Sequence, residues 1–133
     1  MIDRWLRRWL RVPSVRAIRG AITVEENCET AIAAAVAELI HELQAANGIG
    51  PEQMISAVFT MTPDLNAAFP ATTARFAGWE GVPLLCATEI AVPGALPRCL
   101  RILVHAERCW SGPVRPVYLR GAAALRPDLV GRE

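Results

Sequence analysis

A chain of 133 residues fits one domain with a real core, and side chains that are 53% apolar and 20% charged exclude a disordered chain in favour of a globular, rather greasy one. The formal net charge of +1 excludes a globally basic nucleic-acid binder. All 14 Lys and Arg positions are Arg, so each such charge is a planar, permanent fork suited to carboxylate or phosphate, although a GC-rich genome accounts for the same bias.

Residues 1–14 differ from the rest. Ile2, Trp5, Leu6, Trp9 and Leu10 share one face of a short helix, Arg4, Arg7, Arg8 and Arg11 take the other, and Pro13 ends it. At about three turns such a helix is marginal alone, so it reads as a docked extension; charge interrupts it too often for a signal peptide, and membrane contact is not expected. No apolar run approaches the length of a membrane span. Cys28, Cys86, Cys99 and Cys109 form no Cys-x-x-Cys and meet no paired histidines, so no metal or other cofactor is expected, and free thiols point to the cytoplasm.

Residues 15–133 read as the domain proper. Val15 to Glu25 is a first strand, in which Arg16 and Arg19 point to opposite faces. Asn27 is positioned to cap the following helix, whose apolar face is Ile32, Val36, Leu39, Ile40 and Leu43 and whose stop is Asn47-Gly48. Met54 to Met61 is a second strand, broken by Thr62-Pro63-Asp64. A short helix over Ala67 to Phe76 and a turn at Gly78-Trp79-Glu80-Gly81 lead to a third strand, Val82 to Glu89. A fourth covers Cys99 to Ala106 and a fifth Val114 to Leu119. The order predicts an α+β fold, a mixed β-sheet with helices on one face and a second face that needs cover.

The chemistry concentrates in residues 82–101. Glu89 ends a strand-like apolar run, and Arg98 and Arg101 start the next, with Cys86 nearby. A charge in such company normally has a partner or a ligand. Cys86 with His105 as a hydrolase pair lacks any nucleophile motif.

Six separated motifs then agree in order and spacing: Ile18-Arg19-Gly20-Ala21 with Thr23-Val24-Glu25; Thr62-Pro63-Asp64-Leu65 with Ala68-Phe69-Pro70-Ala71; Cys86-x-x-Glu89; Cys99-Leu100-Arg101; Val117-Tyr118-Leu119; and Leu125-Arg126-Pro127-Asp128-Leu129. Together they resemble the trimeric α/β class of chorismate mutase. The resemblance implies a homotrimeric pseudo-α/β-barrel with active sites between subunits. It also implies the Claisen rearrangement of chorismate to prephenate, without a cofactor.

On that resemblance Arg101 faces the breaking ether bond and Glu89 accepts from the ring hydroxyl, with Cys86 beside it. Arg19 and Tyr118 hold the enolpyruvyl carboxylate. Phe69 and Arg75 line the cleft from the neighbouring subunit, with Ala71 and Thr72 in the same segment. The backbone of Leu84 and Leu85 completes the ring contact, Leu125 and Arg126 belong to a segment that orders over ligand, and Arg98 is a bystander. The sequence departs from the familiar pattern at Thr72, where a Lys is frequent, and at Leu85, where a Thr is frequent. One change removes a cation from the cleft mouth, and the other makes the ring pocket greasier. Two rivals stand beside this reading: a non-catalytic trimer that binds a small carboxylate, and an enzyme acting on a chorismate relative in secondary metabolism.

Overall fold

The computed structural model describes residues 3–5 and 12–128. Of the predicted N-terminal helix, Arg4 and Trp5 are helical, while Ile2, Leu6, Trp9 and Leu10 lie outside the described residues, as does Leu129 of the last motif. The elements are β1 (Ser14–Thr23), α1 (Glu29–Asn47), β2 (Met54–Met61), α2 (Pro70–Ala74), β3 (Leu84–Thr88), β4 (Cys99–Arg108) and β5 (Val117–Leu119), followed by a 3₁₀ segment, Arg120–Leu125.

One mixed sheet runs β3-β2-β4-β1-β5. The central strand β4 is antiparallel to both β1 and β2, and the edge strands β3 and β5 are parallel to β2 and β1. Alternation along the strands separates the two faces. Ile18 and Ile22 of β1, Phe59 of β2 and Leu100, Ile102 and Val104 of β4 are buried on one face, against Ile32, Val36, Leu39, Ile40 and Leu43 of α1. All five helix positions expected in the core are in it.

Gly20 sets how closely α1 lies on the sheet. A Cβ there would stand 3.0 Å from Ile102 Cγ2, 3.1 Å from Leu39 Cδ1 and 3.3 Å from Leu43 Cδ1. The helix therefore rests almost on the β1 backbone, as a glycine in a strand permits.

The ends of α1 differ from expectation in one respect. Cys28, not Asn27, occupies the N-cap position, and no side chain caps the first turn. Asn27 is used elsewhere: its Oδ1 accepts from the backbone N–H groups of Asn66 and Ala67, both at 3.0 Å, and its Nδ2 donates to Asn66 Oδ1 at 2.8 Å. An Asn side chain satisfies either task, and here the loop before α2 takes it. At the other end Gly48 adopts the left-handed conformation (φ 60°). Arg108 Nη1 donates to the carbonyls of Asn47 at 3.0 Å and Gly48 at 2.6 Å, a cation where the helix dipole favours one.

The helix expected over Ala67 to Phe76 is shorter. It starts at Pro70, whose missing N–H costs nothing in a first turn, and runs into a wide turn, Arg75–Trp79, in which Gly78 has φ 103°. That turn drives Trp79 into the core, where its Nε1 donates to Gln44 Oε1 at 2.9 Å and its ring lies 6.4 Å from that of Phe59.

A polar clamp joins the end of β2 to the start of β4. Thr62 Oγ1 donates to Asp64 Oδ1 at 2.5 Å and accepts from the Cys99 N–H at 3.0 Å, while the Arg98 N–H donates to Asp64 Oδ2 at 2.8 Å. Arg98 is held in the left-handed region (φ 44°) and its Nε donates to Val24 O at 3.0 Å. The Thr-Pro-Asp motif thus shapes the backbone that delivers Arg101, and Arg98 serves the fold.

Candidate active site

The face of the sheet opposite α1 carries the candidate site. Register places Ala87, Thr60, Arg101, Ala21 and Tyr118 in one row across five strands. Arg19 and Leu103 stand in the adjacent row with Val58 and Leu85. Pairing with β2 continues past β3 to Glu89, whose N–H donates to Met61 O at 2.9 Å. Two residues beyond Ala87, Glu89 returns to the same face. A cleft of about 510 Å³ gathers Arg19, Thr60, Glu89, Arg101, Tyr118, Leu125 and Arg126, over an apolar floor that includes Val58 and Leu103.

The charges in it are arranged unequally. Glu89 Oε1 accepts from Thr60 Oγ1 at 2.5 Å and lies 3.4 Å from Arg101 Nε. The Arg101 side chain is 47% exposed against 24% for Glu89, so the carboxylate is sheltered while the fork reaches the cleft. Three guanidinium groups and one carboxylate line the space. That balance attracts an anion of more than one charge and leaves one acceptor for a hydroxyl.

The tail reaches the cleft because a small second core holds it there. Ala21, Cys99 and Ala122 are buried together, with Leu96, Tyr118 and Leu125 packed on them. Burial pushes the Cys99 thiol up, against the pull of Arg101, so this floor is neutral. The 3₁₀ segment is tied down where the Gly121 N–H donates to Thr23 Oγ1 at 3.0 Å and where Arg120 pairs with Glu38 of α1 at 3.0 Å. Beyond it, Arg126 makes a two-pronged pair with Asp128 at 3.0 and 2.9 Å, which raises the Arg126 pKa above its ordinary value.

Other expected site residues do not line this cleft. Phe69 and Cys86 line a separate hollow of about 380 Å³ with Ala68, Pro70 and Thr88. Cys86 is paired with Phe59 and so belongs to the helix side of the sheet, whereas His105 is on the other side, 3.5 Å from Ser56 Oγ through Nδ1. Those two are not a nucleophile and its base. Ala71 is buried in α2 and Leu84 packs on the main core, while Thr72, Arg75 and Leu85 are exposed. Thr60 had no signal in the sequence. Its hydroxyl becomes visible only once the register sets it opposite Arg101.

Comparison with known proteins gives the family. The family model described as chorismate mutase type I matches residues 15–129. The chain is 50% identical over 121 residues to Chorismate mutase AroH of Thermus thermophilus, covering 86% of this chain and 96% of that protein. It is 37% identical over 117 residues to Chorismate mutase AroH of Bacillus subtilis (strain 168), covering 86% and 92%. In three dimensions it is similar to a chorismate mutase from Clostridium thermocellum, with a TM-score of 0.77, 41% identity and coverage of 82% of this chain and 98% of that one. The chain belongs to the chorismate mutase type I family.

Proposed function

We propose that the cleft binds chorismate and rearranges it to prephenate, in service of aromatic amino acid biosynthesis. The observation that carries this reading is the Glu89–Arg101 pair, 3.4 Å apart at the edge of an open, cation-lined cleft, in a chain of this family. Simple anion binding gains nothing from a carboxylate at that position, which disfavours a purely binding protein.

The rearrangement is a pericyclic step with no covalent intermediate and no proton transfer. Catalysis then rests on selecting the compact chair-like conformer and on stabilising charge that develops as the ether bond breaks. Arg101 meets the negative charge growing on the ether oxygen. Glu89 accepts from the ring hydroxyl on the side that becomes relatively positive. These two interactions strengthen towards the transition state, which makes them rate-enhancing and not merely binding contacts. Arg19 and Tyr118 hold the enolpyruvyl carboxylate, and Arg126, with Leu125 beside it, closes the cleft from the tail.

The proposed working unit is a cytoplasmic homotrimer. Phe69, Cys86, Arg75 and the segment of Ala71 and Thr72 lie away from the cleft of their own protomer, and in the trimer they line the cleft of a neighbour. Leu84 and Leu85 contribute backbone to the ring contact. The N-terminal stretch, residues 1–14, is read as an extension to the catalytic domain, residues 15–133, with Ser14 already pairing in β1.

The test is direct. Purified chain mixed with chorismate loses the diene absorbance of the substrate faster than the uncatalysed rate, and prephenate appears in equal amount. Because no group must titrate, turnover is flat around neutral pH; a steep bell there indicates general acid–base chemistry instead.

A further inference from the structure

Glu89 must present its carboxylate to a ligand while standing beside a guanidinium that would, if unopposed, draw it into a closed ion pair. A two-pronged Arg–carboxylate pair occupies both oxygens and leaves neither for a substrate hydroxyl. The observed contact is of another kind. The shortest contact runs from Arg101 Nε to Oε1, at 3.4 Å, and Oε1 is the same oxygen that accepts from Thr60 Oγ1 at 2.5 Å. Among the described residues, the side-chain hydrogen bond to this carboxylate is made at Oε1.

Thr60 is well fixed for this task. It sits inside β2 with paired neighbours on both sides, Arg101 of β4 and Ala87 of β3, and its side chain is partly buried on the cleft face. Glu89 is fixed at its backbone by the bond to Met61 O. The carboxylate is thus held at its root by β2 and at one oxygen by the Thr60 hydroxyl. A β-branched residue has few χ1 choices, so the hydroxyl is a stiff donor.

We propose that Thr60 is a positioning residue for the reaction: its hydroxyl locks Oε1 of Glu89, turns Oε2 to the substrate, and keeps Arg101 from closing on the carboxylate. The inference rests on the functional reading above. It acts through Glu89, so it governs transition-state stabilisation more than substrate capture.

The experiment compares Thr60→Val, which keeps the branched shape and strand preference but lacks the donor, with Thr60→Ser, which keeps the donor. In Thr60→Val, kcat falls about 10-fold or more, the scale of one hydrogen bond to a charged group, with KM changed less than about threefold and the denaturation midpoint close to wild type. Thr60→Ser recovers most of kcat. An unchanged kcat in Thr60→Val overturns the proposal, as does a raised KM at constant kcat, which marks Thr60 as a plain substrate contact. Equal losses in the Val and Ser variants assign the effect to strand packing and overturn it too.

A second readout is independent of turnover. Crystal structures of the two variants show the Glu89 carboxylate moved towards Arg101 in Thr60→Val and unmoved in Thr60→Ser. A carboxylate that stays in place without the hydroxyl overturns the proposal even if wild type proves inactive on chorismate. Inactivity of wild type alone overturns the functional reading and leaves this structural comparison to decide the role of Thr60.

Discussion

Asp64 illustrates how a single residue supports the site from a distance. The Thr62 hydroxyl and, next, the backbone N–H of Arg98 hold its carboxylate below the usual range, against the opposing effect of desolvation. A depressed folded pKa means that the unfolded chain binds the proton more readily. The stabilisation is therefore present above the ordinary carboxylate range, about pH 4, and is lost as pH falls through the lowered value. Thermal denaturation between about pH 6 and pH 3 should show a steeper loss of Tm for wild type than for Asp64→Asn; parallel slopes would remove Asp64 from the account. The sequence showed Thr62-Pro63-Asp64 as a break and as part of a family motif. It could not show that Asp64 holds the chain at Arg98, because that link spans 34 residues and depends on register. For the same reason Asn27 looked like a helix cap, since its partners at Asn66 and Ala67 are distant in sequence.

At the scale of elements, periodicity was enough to find the strands, the long helix and its buried face. Met54–Met61 has the bounds expected of it, and Ile32, Val36, Leu39, Ile40 and Leu43 are all in the core. Shorter elements were less legible because tertiary contacts set their limits: Trp79 and Gly78 extend the turn after α2, and β5 is reduced to the three residues that pair with β1. The close seat of α1 on β1 was also invisible until the two were packed. A methyl group added at Gly20 enters a space bounded by Ile102, Leu39 and Leu43 at 3.0 to 3.3 Å. Gly20→Ala should therefore cost about 1–3 kcal/mol through overpacking, read as a lower urea midpoint with an unchanged slope. A stability equal to wild type would mean that α1 moves outward freely.

For the whole molecule, the main feature is the difference between the two faces of the sheet. One is covered by α1; the other leaves Leu103 and, on the edge strand, Leu85 in solvent, with Ile90 and Val92 exposed in the following loop. A single protomer that keeps this much apolar surface exposed favours association. Phe69, Ala71, Thr72, Arg75, Leu84, Leu85 and Cys86 do not line the cleft of their own chain, and periodicity and spacing alone do not distinguish such residues from a site built within one subunit. Light scattering should give a mass of three copies of the 14.5 kDa chain. A monomer at working concentration that retained full activity would contradict a site shared between neighbours.

In the proposed mechanism, fixed charge at the breaking bond drives the reaction, and Arg101 supplies it. Turnover of chorismate at saturating concentration, measured for wild type and Arg101→Ala at matched oligomeric mass, tests this most directly. In Arg101→Ala, kcat should fall by about 10²-fold or more, the scale of removing one preorganised donor from developing charge. An Arg101→Ala chain with the kcat of wild type would contradict it.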